Sequence, residues 1–146
     1  MKVAITGAGG LVGRHLAARF AAKDEVLALG HADLDITDLS AVLKWAETER
    51  PQLIVNCAVM GVDECERDEL AARALNVDGP RTLAEAAARL DAEFVHFSSN
   101  YVFGGEEEGR EPYTLKDEPR PVNVYGRTKL AGSKAAGASP RPDCAM

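Results

Sequence analysis

Two side chains near the end of the sequence have the types and spacing needed for proton transfer to a carbonyl oxygen. Tyr125 and Lys129 are four residues apart in a segment with a helical pattern, so both project from one face of the predicted helix. An isolated tyrosine has a pKa near ~10, and a cation held beside the phenol favours the phenolate and lowers that pKa. The pair therefore predicts a proton donor and acceptor that works near neutral pH, as carbonyl reduction requires.

A third candidate catalytic residue is Ser99, which follows the fourth predicted strand. Its hydroxyl is placed to hydrogen-bond a substrate carbonyl, because ligands of open α/β sheets bind at the carboxyl ends of the strands. Each of the three residues also has an ordinary structural explanation. Tyrosine and lysine at this spacing often meet as surface neighbours, and serines at strand ends often cap turns. The catalytic hypothesis therefore needs agreement from other segments.

The first segment that agrees is a glycine-rich turn between the first strand and the first helix. The strand is predicted over Lys2–Ile5 and the helix over Leu11–Phe20, with the glycines spaced G-x-x-G-x-x-G rather than G-x-G-x-x-G. Strand, glycine turn and helix in this order form the context in which a dinucleotide pyrophosphate meets the N–H groups of a helix N-terminus. The cofactor-binding residues that this turn predicts are Gly7, Gly10, Leu11, Val12 and Gly13.

Short apolar runs alternate with amphipathic segments along the chain, which predicts parallel βαβ units. The fold class expected is α/β, a Rossmann-like doubly wound parallel sheet. Residues 1–134 form one dinucleotide-binding domain in this prediction, and residues 135–146, with two prolines and no periodicity, form a disordered tail. The predicted strands are Lys2–Ile5, Glu25–Leu29, Leu53–Cys57 and Phe94–Phe97. The predicted helices are Leu11–Phe20, Leu39–Glu49, a long run from Asp63 to Leu90 interrupted at Asn76–Gly79, and Val122–Lys134.

The composition argues against several classes of partner. The 146 residues carry a net charge of −6, whereas a nucleic-acid interface would be basic and clustered. No apolar run approaches the ~20 residues of a membrane span, and the N-terminus reads as a strand rather than a signal peptide. Three cysteines without a C-x-x-C pair indicate reduced thiols. We therefore expect a cytoplasmic protein that binds neither nucleic acid nor membrane.

The ordered set of motifs resembles the extended short-chain dehydrogenase/reductase superfamily and, within it, the dTDP-4-dehydrorhamnose reductase family. The likeness runs from Met1 to about Gly132, and its motifs keep the family's order and spacing. They are TGAGGLVG, LDITD, VDECERD, LNVDGPRTLAEAA, FVHFSSNYVFGG and PYTLKDEPRPVNVYGRTKLAG.

The resemblance implies a role for each matching residue. Tyr125 matches the tyrosine that protonates the reduced oxygen, and Lys129 the lysine that holds the nicotinamide ribose and lowers the tyrosine pKa. Ser99 matches the residue that binds the substrate carbonyl. The resemblance also implies NAD or NADP as cofactor and a nucleotide sugar, dTDP-linked, as substrate. Further cofactor contacts are implied for Asp35, Ile36, Asn56, Cys57 and Ala58, and our own interpretation adds His31 beside the adenosine ribose.

Departures from the family pattern shape the remaining expectations. His15 stands where some members carry a metal-binding glutamate, so no metal site is expected, and Asn100 and Ser133 replace acidic residues of the pattern. Family enzymes are nearly twice as long, so we expect a truncated chain without the substrate lobe, weakly active or inactive alone and able to form a homodimer. Two alternatives stay open: a sugar-nucleotide epimerase or dehydratase of the same superfamily, and a non-catalytic NAD(P)-binding regulatory protein.

Overall fold

The structure, a computed structural model, describes residues 1–105, 111–114 and 116–138. Its centre is a four-stranded parallel sheet with the strand order β2-β1-β3-β4. The strands are β1 (Lys2–Thr6), β2 (Glu25–Leu29), β3 (Leu53–Asn56) and β4 (Glu93–His96). The helices are α1 (Leu11–Phe20), α2 (Leu39–Glu49), α3 (Val62–Arg67), α4 (Glu69–Arg73), α5 (Gly79–Leu90) and α6 (Val124–Gly137). A π-helical segment spans Ala74–Asp78 and a 3₁₀ turn spans Asn100–Val102.

The two central strands are nearly continuous apolar runs because helices cover both faces of the sheet. Every residue of β3 is buried, as is β1 after Lys2, which is the pattern of a parallel sheet covered on both sides. On one face, Val3 and Ile5 pack with Val55 and the inner side of α1. On the other face the core lies between the sheet and the helices α2 and α5. The residues of that core include Ala4, Ile54, Phe94, Val42, Ala46, Leu83 and Ala87.

This arrangement confirms the predicted α/β class and the doubly wound parallel sheet. Both Glu25–Leu29 and Leu39–Glu49 have the bounds that the sequence predicted. Asp38 caps α2, since its carboxylate accepts a hydrogen bond of 3.0 Å from the backbone N–H of Ala41. The other strand ends differ from the prediction by one residue. β1 ends at Thr6, β3 ends at Asn56, and β4 runs from Glu93 to His96.

The predicted interruption of the long helical run at Asn76–Gly79 is wrong. The chain stays helical there in a π-helical segment that leads directly into α5. Pro80 follows this passage into α5, and it lacks the N–H that a continuous α-helix would direct at the Asn76 carbonyl four residues earlier. The break falls instead at Asp68, whose side chain caps α4 by accepting a hydrogen bond of 2.9 Å from Ala71.

The last helix lies two to three residues further along the chain than predicted. It begins at Val124 rather than Val122 and continues to Gly137 rather than ending at Lys134. Residues 135–137 of the predicted tail are therefore helical, and Ala136 is buried against the core. Residues 139–146 lie outside the described part of the chain.

Candidate cofactor site and catalytic residues

A cleft of about 290 Å³ opens where β1, β2 and β3 end. In a sheet of this order, the chain leaves the neighbouring strands β1 and β3 toward opposite faces of the sheet. Ligands of open α/β sheets bind in the crevice between two such strands. Most residues of the cleft wall are apolar or glycine, and Thr6 and His31 carry polar side chains. The lining residues are Thr6, Gly7, Gly10, Leu29, Gly30, His31, Leu34, Ile36, Cys57, Ala58, Val59 and Leu75.

The glycine turn is held tightly against the end of β3. Gly7 has a positive φ of 66°, and a Cβ there would lie 2.5 Å from the backbone nitrogen of Ala58. A Cβ at Gly13 would overlap the Gly7 carbonyl. At Gly10, by contrast, a Cβ would meet only the Gly7 oxygen, at 3.3 Å. Glycine is therefore required at positions 7 and 13 by the protein itself, while Gly10 leaves open the space in front of the turn.

The N-terminus of α1 is available to an anion. Gly10 stands at the N-cap with no side-chain hydrogen bond, and the first turn of α1 carries no acidic residue. Leu11 and Val12 are exposed at 68% and 50% just after the turn. The backbone N–H groups of a first helical turn have no partner within the helix, and the helix dipole favours negative charge there.

The structure brings six of the predicted cofactor residues to the cleft wall and leaves others away from it. Gly7, Gly10, His31, Ile36, Cys57 and Ala58 line the cleft. Asp35 is exposed, and its carboxylate accepts hydrogen bonds from the Thr37 N–H at 2.9 Å and hydroxyl at 2.7 Å, which lower its pKa. Leu11, Val12, Gly13 and Asn56 are not part of the cleft wall among the described residues.

Several cleft residues were not predicted from the sequence. Leu34 is one of them, although the buried Leu34 and Ile36 on either side of the exposed Asp35 form an alternating pattern that could have indicated it. Leu75 reaches the cleft from the π-helical segment, which no periodicity indicated. Thr6, Leu29, Gly30 and Val59 complete the group that was missed.

Helix α6 carries Tyr125 and Lys129 one turn apart, as the spacing predicted. It begins where Asn123 accepts a hydrogen bond of 2.7 Å from the Gly126 N–H. The Glu66 carboxylate holds the same end by accepting a 2.7 Å bond from the Val124 N–H. A Cβ on Gly126 would overlap the Tyr101 carbonyl. Glycine next to Tyr125 therefore allows α6 to approach the 3₁₀ turn closely.

The 3₁₀ turn connects Ser99 with the ring of Tyr125. The Ser99 hydroxyl oxygen accepts a hydrogen bond of 3.2 Å from the Tyr101 N–H and so caps the turn. The Tyr101 ring then meets the half-buried Tyr125 ring edge-on, with centroids 5.4 Å apart. Ser99 has a structural role in this arrangement, and its hydroxyl donates a long hydrogen bond of 3.5 Å to Oδ1 of Asn100.

Lys129 is buried rather than exposed beside the tyrosine. Its side chain retains 4% exposure, and Nζ lies 3.5 Å from Nε2 of His96 at the end of β4. Burial lowers the pKa of Lys129 to about 8. For His96, burial and then the charge of Lys129 lower the pKa to about 4. His96 is thus a buried residue of β4 that contacts Lys129.

The cysteines of the described residues are free thiols. Cys57 is half-buried in the cleft wall and Cys65 is buried under α6, and burial raises the pKa of each. Among residues 1–105, 111–114 and 116–138, no group of three or more histidine, cysteine, aspartate or glutamate side chains is arranged to hold a metal ion. No helix in the same residues is long and apolar enough to cross a membrane.

Comparison with known proteins identifies the family. The family model described as the RmlD substrate binding domain matches residues 1–142. The chain belongs to this family. A dTDP-4-dehydrorhamnose reductase of Mycolicibacterium smegmatis is 46% identical over 144 residues, which are 97% of this chain and 43% of that protein.

Solved structures of family members have the same fold. The dTDP-4-dehydrorhamnose reductase of Clostridium acetobutylicum superposes with a TM-score of 0.90 at 41% identity, over 95% of this chain and 50% of that one. The Bacillus anthracis reductase, solved in complex with NADP, superposes with a TM-score of 0.88 at 32% identity. The superposition covers 94% of this chain and 49% of that one. The chain thus spans about half the length of the relatives that it matches.

Proposed function

We propose that this chain is the cofactor-binding part of a reductase that transfers a hydride from NAD(P)H to a nucleotide-linked 4-keto-6-deoxy sugar. The observation that carries the proposal is the layout of the carboxyl edge of the sheet. The glycine turn after β1, the cleft beside it and Lys129 on α6 are joined there by contacts through Asn56 and His96. Family membership and the names of the relatives support the same activity.

The residues of the cleft fit a dinucleotide. The apolar wall formed by Leu34 and Ile36 suits an adenine ring, and the open space in front of Gly10 suits a pyrophosphate at the start of α1. His31 lines the ribose end of the cleft. The Asp33 carboxylate there accepts a 2.7 Å hydrogen bond from the Gly30 N–H, so part of its acceptor capacity is already used. The proposal therefore takes NADP or NAD as the cofactor.

In this proposal the three candidate catalytic residues divide the work on the carbonyl. The cofactor supplies the hydride when bound. Tyr125 gives a proton to the oxygen that becomes the alcohol, Ser99 hydrogen-bonds that oxygen, and Lys129 binds the nicotinamide ribose. The substrate proposed from the relatives' names is a dTDP-linked sugar.

The test of cofactor binding is a calorimetric titration of the 146-residue chain with NADPH and with NADH. Gly10→Val places a branched side chain in front of the turn, and we expect at least ~100-fold weaker binding, about 2.7 kcal/mol. Gly137→Val is the matched control, because a Cβ there meets nothing within 4 Å. Circular dichroism checks that both variants fold. A folded Gly10→Val variant that binds like the parent would show that the cofactor does not sit on this turn.

A homodimer is the second part of the proposal, and the edge strand supports it. Within the described residues β4 pairs only with β3, and Phe97, just beyond it, is 44% exposed. An unpaired strand edge favours pairing with another chain. Sedimentation velocity over a range of concentrations measures the association. We expect Phe97→Lys to weaken it and Leu70→Lys, at an 82% exposed position on α4, to leave it unchanged. Equal effects of the two variants would contradict association through β4.

A further inference from the structure

A buried row of polar side chains runs along the carboxyl edge of the sheet and ends at Lys129. The Thr6 hydroxyl donates to Oδ1 of Asn56 at 2.7 Å, and Nδ2 of Asn56 lies 3.3 Å from Nδ1 of His96. On the other side of the ring, Nε2 of His96 lies 3.5 Å from Nζ of Lys129. Exposure of the four side chains is between 1% and 4%, so water does not decide how their hydrogen atoms are arranged.

The orientation of the Asn56 amide is fixed by a backbone group. The N–H of Ala58 lies 3.0 Å from Oδ1 of Asn56, and a backbone N–H can only donate. The amide oxygen must therefore face Ala58, which turns the NH₂ group toward His96. Because Nδ2 donates, Nδ1 of His96 has to accept. A neutral imidazole that accepts at Nδ1 carries its hydrogen on Nε2.

This tautomer directs an N–H toward Lys129. A lysine ammonium has three donors and no acceptor, so it makes no hydrogen bond with a protonated Nε2, whereas a neutral amine can accept one. The charge on Lys129 also opposes protonation of the ring, and both pKa values are lowered, that of His96 to about 4 and that of Lys129 to about 8. Other titratable groups at this end of the sheet include the thiol of Cys57, after β3, and the phenols of Tyr125 and Tyr101. The remaining charged residues of β4 and α6 are Glu93, Arg127 and Lys134.

We propose that His96 is a positioning residue for Lys129: Asn56 holds its imidazole as the neutral Nε2–H tautomer, which directs the lysine ammonium away from the sheet and toward an acceptor such as a ribose hydroxyl. The last step, binding of a ribose, rests on the proposed function. The tautomer itself does not, because every contact that sets it lies within the chain.

The direct test is long-range ¹H–¹⁵N NMR of the ¹⁵N-histidine-labelled chain without cofactor. His96→Gln identifies the His96 signals among the three histidines. We expect His96 to be neutral with the hydrogen on Nε2 from pH 8 down to pH 5.5. An Nδ1–H tautomer, or a charged His96 at neutral pH, would overturn the proposal.

Asn56→Asp is the variant that reverses the hydrogen-bond direction while keeping the shape. One carboxylate oxygen still accepts from Thr6 and Ala58, and the other accepts from Nδ1 of His96. We expect the ring to change to the Nδ1–H tautomer. The pKa of Lys129, followed by the ¹³Cε chemical shift, should then rise from about 8 toward its ordinary value of 10.5. The matched control is Asn123→Asp, which adds the same charge at the N-cap of α6 and should leave the His96 tautomer unchanged.

Titration of the same proteins with NADPH separates this proposal from the proposed function. In the parent, affinity should fall about tenfold per pH unit above pH 8, where Lys129 loses its proton, and in Asn56→Asp that fall should move to higher pH. A parent chain that has the Nε2–H tautomer but does not bind NADPH would contradict the proposed function and leave the tautomer confirmed. A tautomer that is the same in parent and Asn56→Asp would contradict the role given to Asn56.

Discussion

The protonation states of single residues at this site depend on the buried side chains that contact them. Tyr125 and Lys129 were found from their spacing, but the state of Lys129 depends on His96 and Asn56, which lie far from it in sequence. Burying a charge is costly unless it is compensated. Among the described residues, the polar group found beside Nζ of Lys129 is the imidazole of His96, at 3.5 Å, rather than a carboxylate.

The lowered pKa of His96 predicts a loss of stability in acid. The folded chain holds this pKa at about 4, against 6.5 for an unperturbed histidine. Between these values the unfolded chain binds more protons, so the free energy of unfolding falls as pH drops from 6.5 toward 4. The full shift corresponds to about 3 kcal/mol. His96→Gln removes this contribution, so urea titrations at pH 7, 5.5 and 4 should show a smaller loss than in the parent.

The control for the acid prediction is His15→Gln, at an exposed position on α1. This variant should lose as much stability as the parent over the same pH range, because carboxylates titrate equally in both. If the free energy of unfolding depends on pH in the same way in His96→Gln and His15→Gln, the ring of His96 does not cause the loss of stability in acid.

At the scale of elements, the position of α6 is set by glycines where it crosses its neighbours. A Cβ on Gly132 would overlap the Asn76 carbonyl of the π-helical segment. Pro80 has no N–H to give to that carbonyl, four residues before it. The Asn76 side chain also stabilises this crossing. Its Nδ2 donates a hydrogen bond of 3.1 Å to the Thr128 hydroxyl, and its Oδ1 accepts one of 2.8 Å from the Met60 N–H.

Gly132→Ala should therefore push α6 away from the π-helical segment and destabilise the fold. Overpacking of this kind costs about 1–3 kcal/mol. Gly137→Ala is the control on the same helix, where a Cβ meets nothing within 4 Å, and it should be neutral or stabilising by up to ~1 kcal/mol. Urea unfolding of both variants measures the difference. Equal stability of the two would show that the crossing can relax without cost.

These crossings also show which part of the fold the sequence could predict. The strands and the helices α1 and α2 follow from apolar runs, turn residues and caps that are local in sequence. The π-helical segment does not, since Asn76 and Gly79 look like helix breakers locally, and the contacts that favour the helix come from Met60, Thr128 and Gly132. The His96–Lys129 contact was missed for the same reason.

At the scale of the whole molecule, the cofactor binding and the catalysis proposed here require different amounts of protein. The glycine turn, the cleft and the residues behind Lys129 all lie in the described residues, whereas the matched relatives extend to about twice this length. Holding two reactants in the right geometry is worth ~7–11 kcal/mol of an activation barrier. A chain that binds NADPH but gives the sugar few contacts lacks most of that contribution.

We therefore expect the 146-residue chain to bind NADPH and to show very little turnover. The purified chain is incubated with NADPH and a dTDP-4-keto-6-deoxy sugar, and the absorbance of the reduced nicotinamide is followed. Its rate should lie close to that of Tyr125→Phe, which removes the proposed proton donor but keeps the ring against Tyr101. A parent rate well above that of Tyr125→Phe would mean that the 146 residues position the sugar as well as the cofactor. The proposal that this chain lacks most of the sugar contacts would then be wrong.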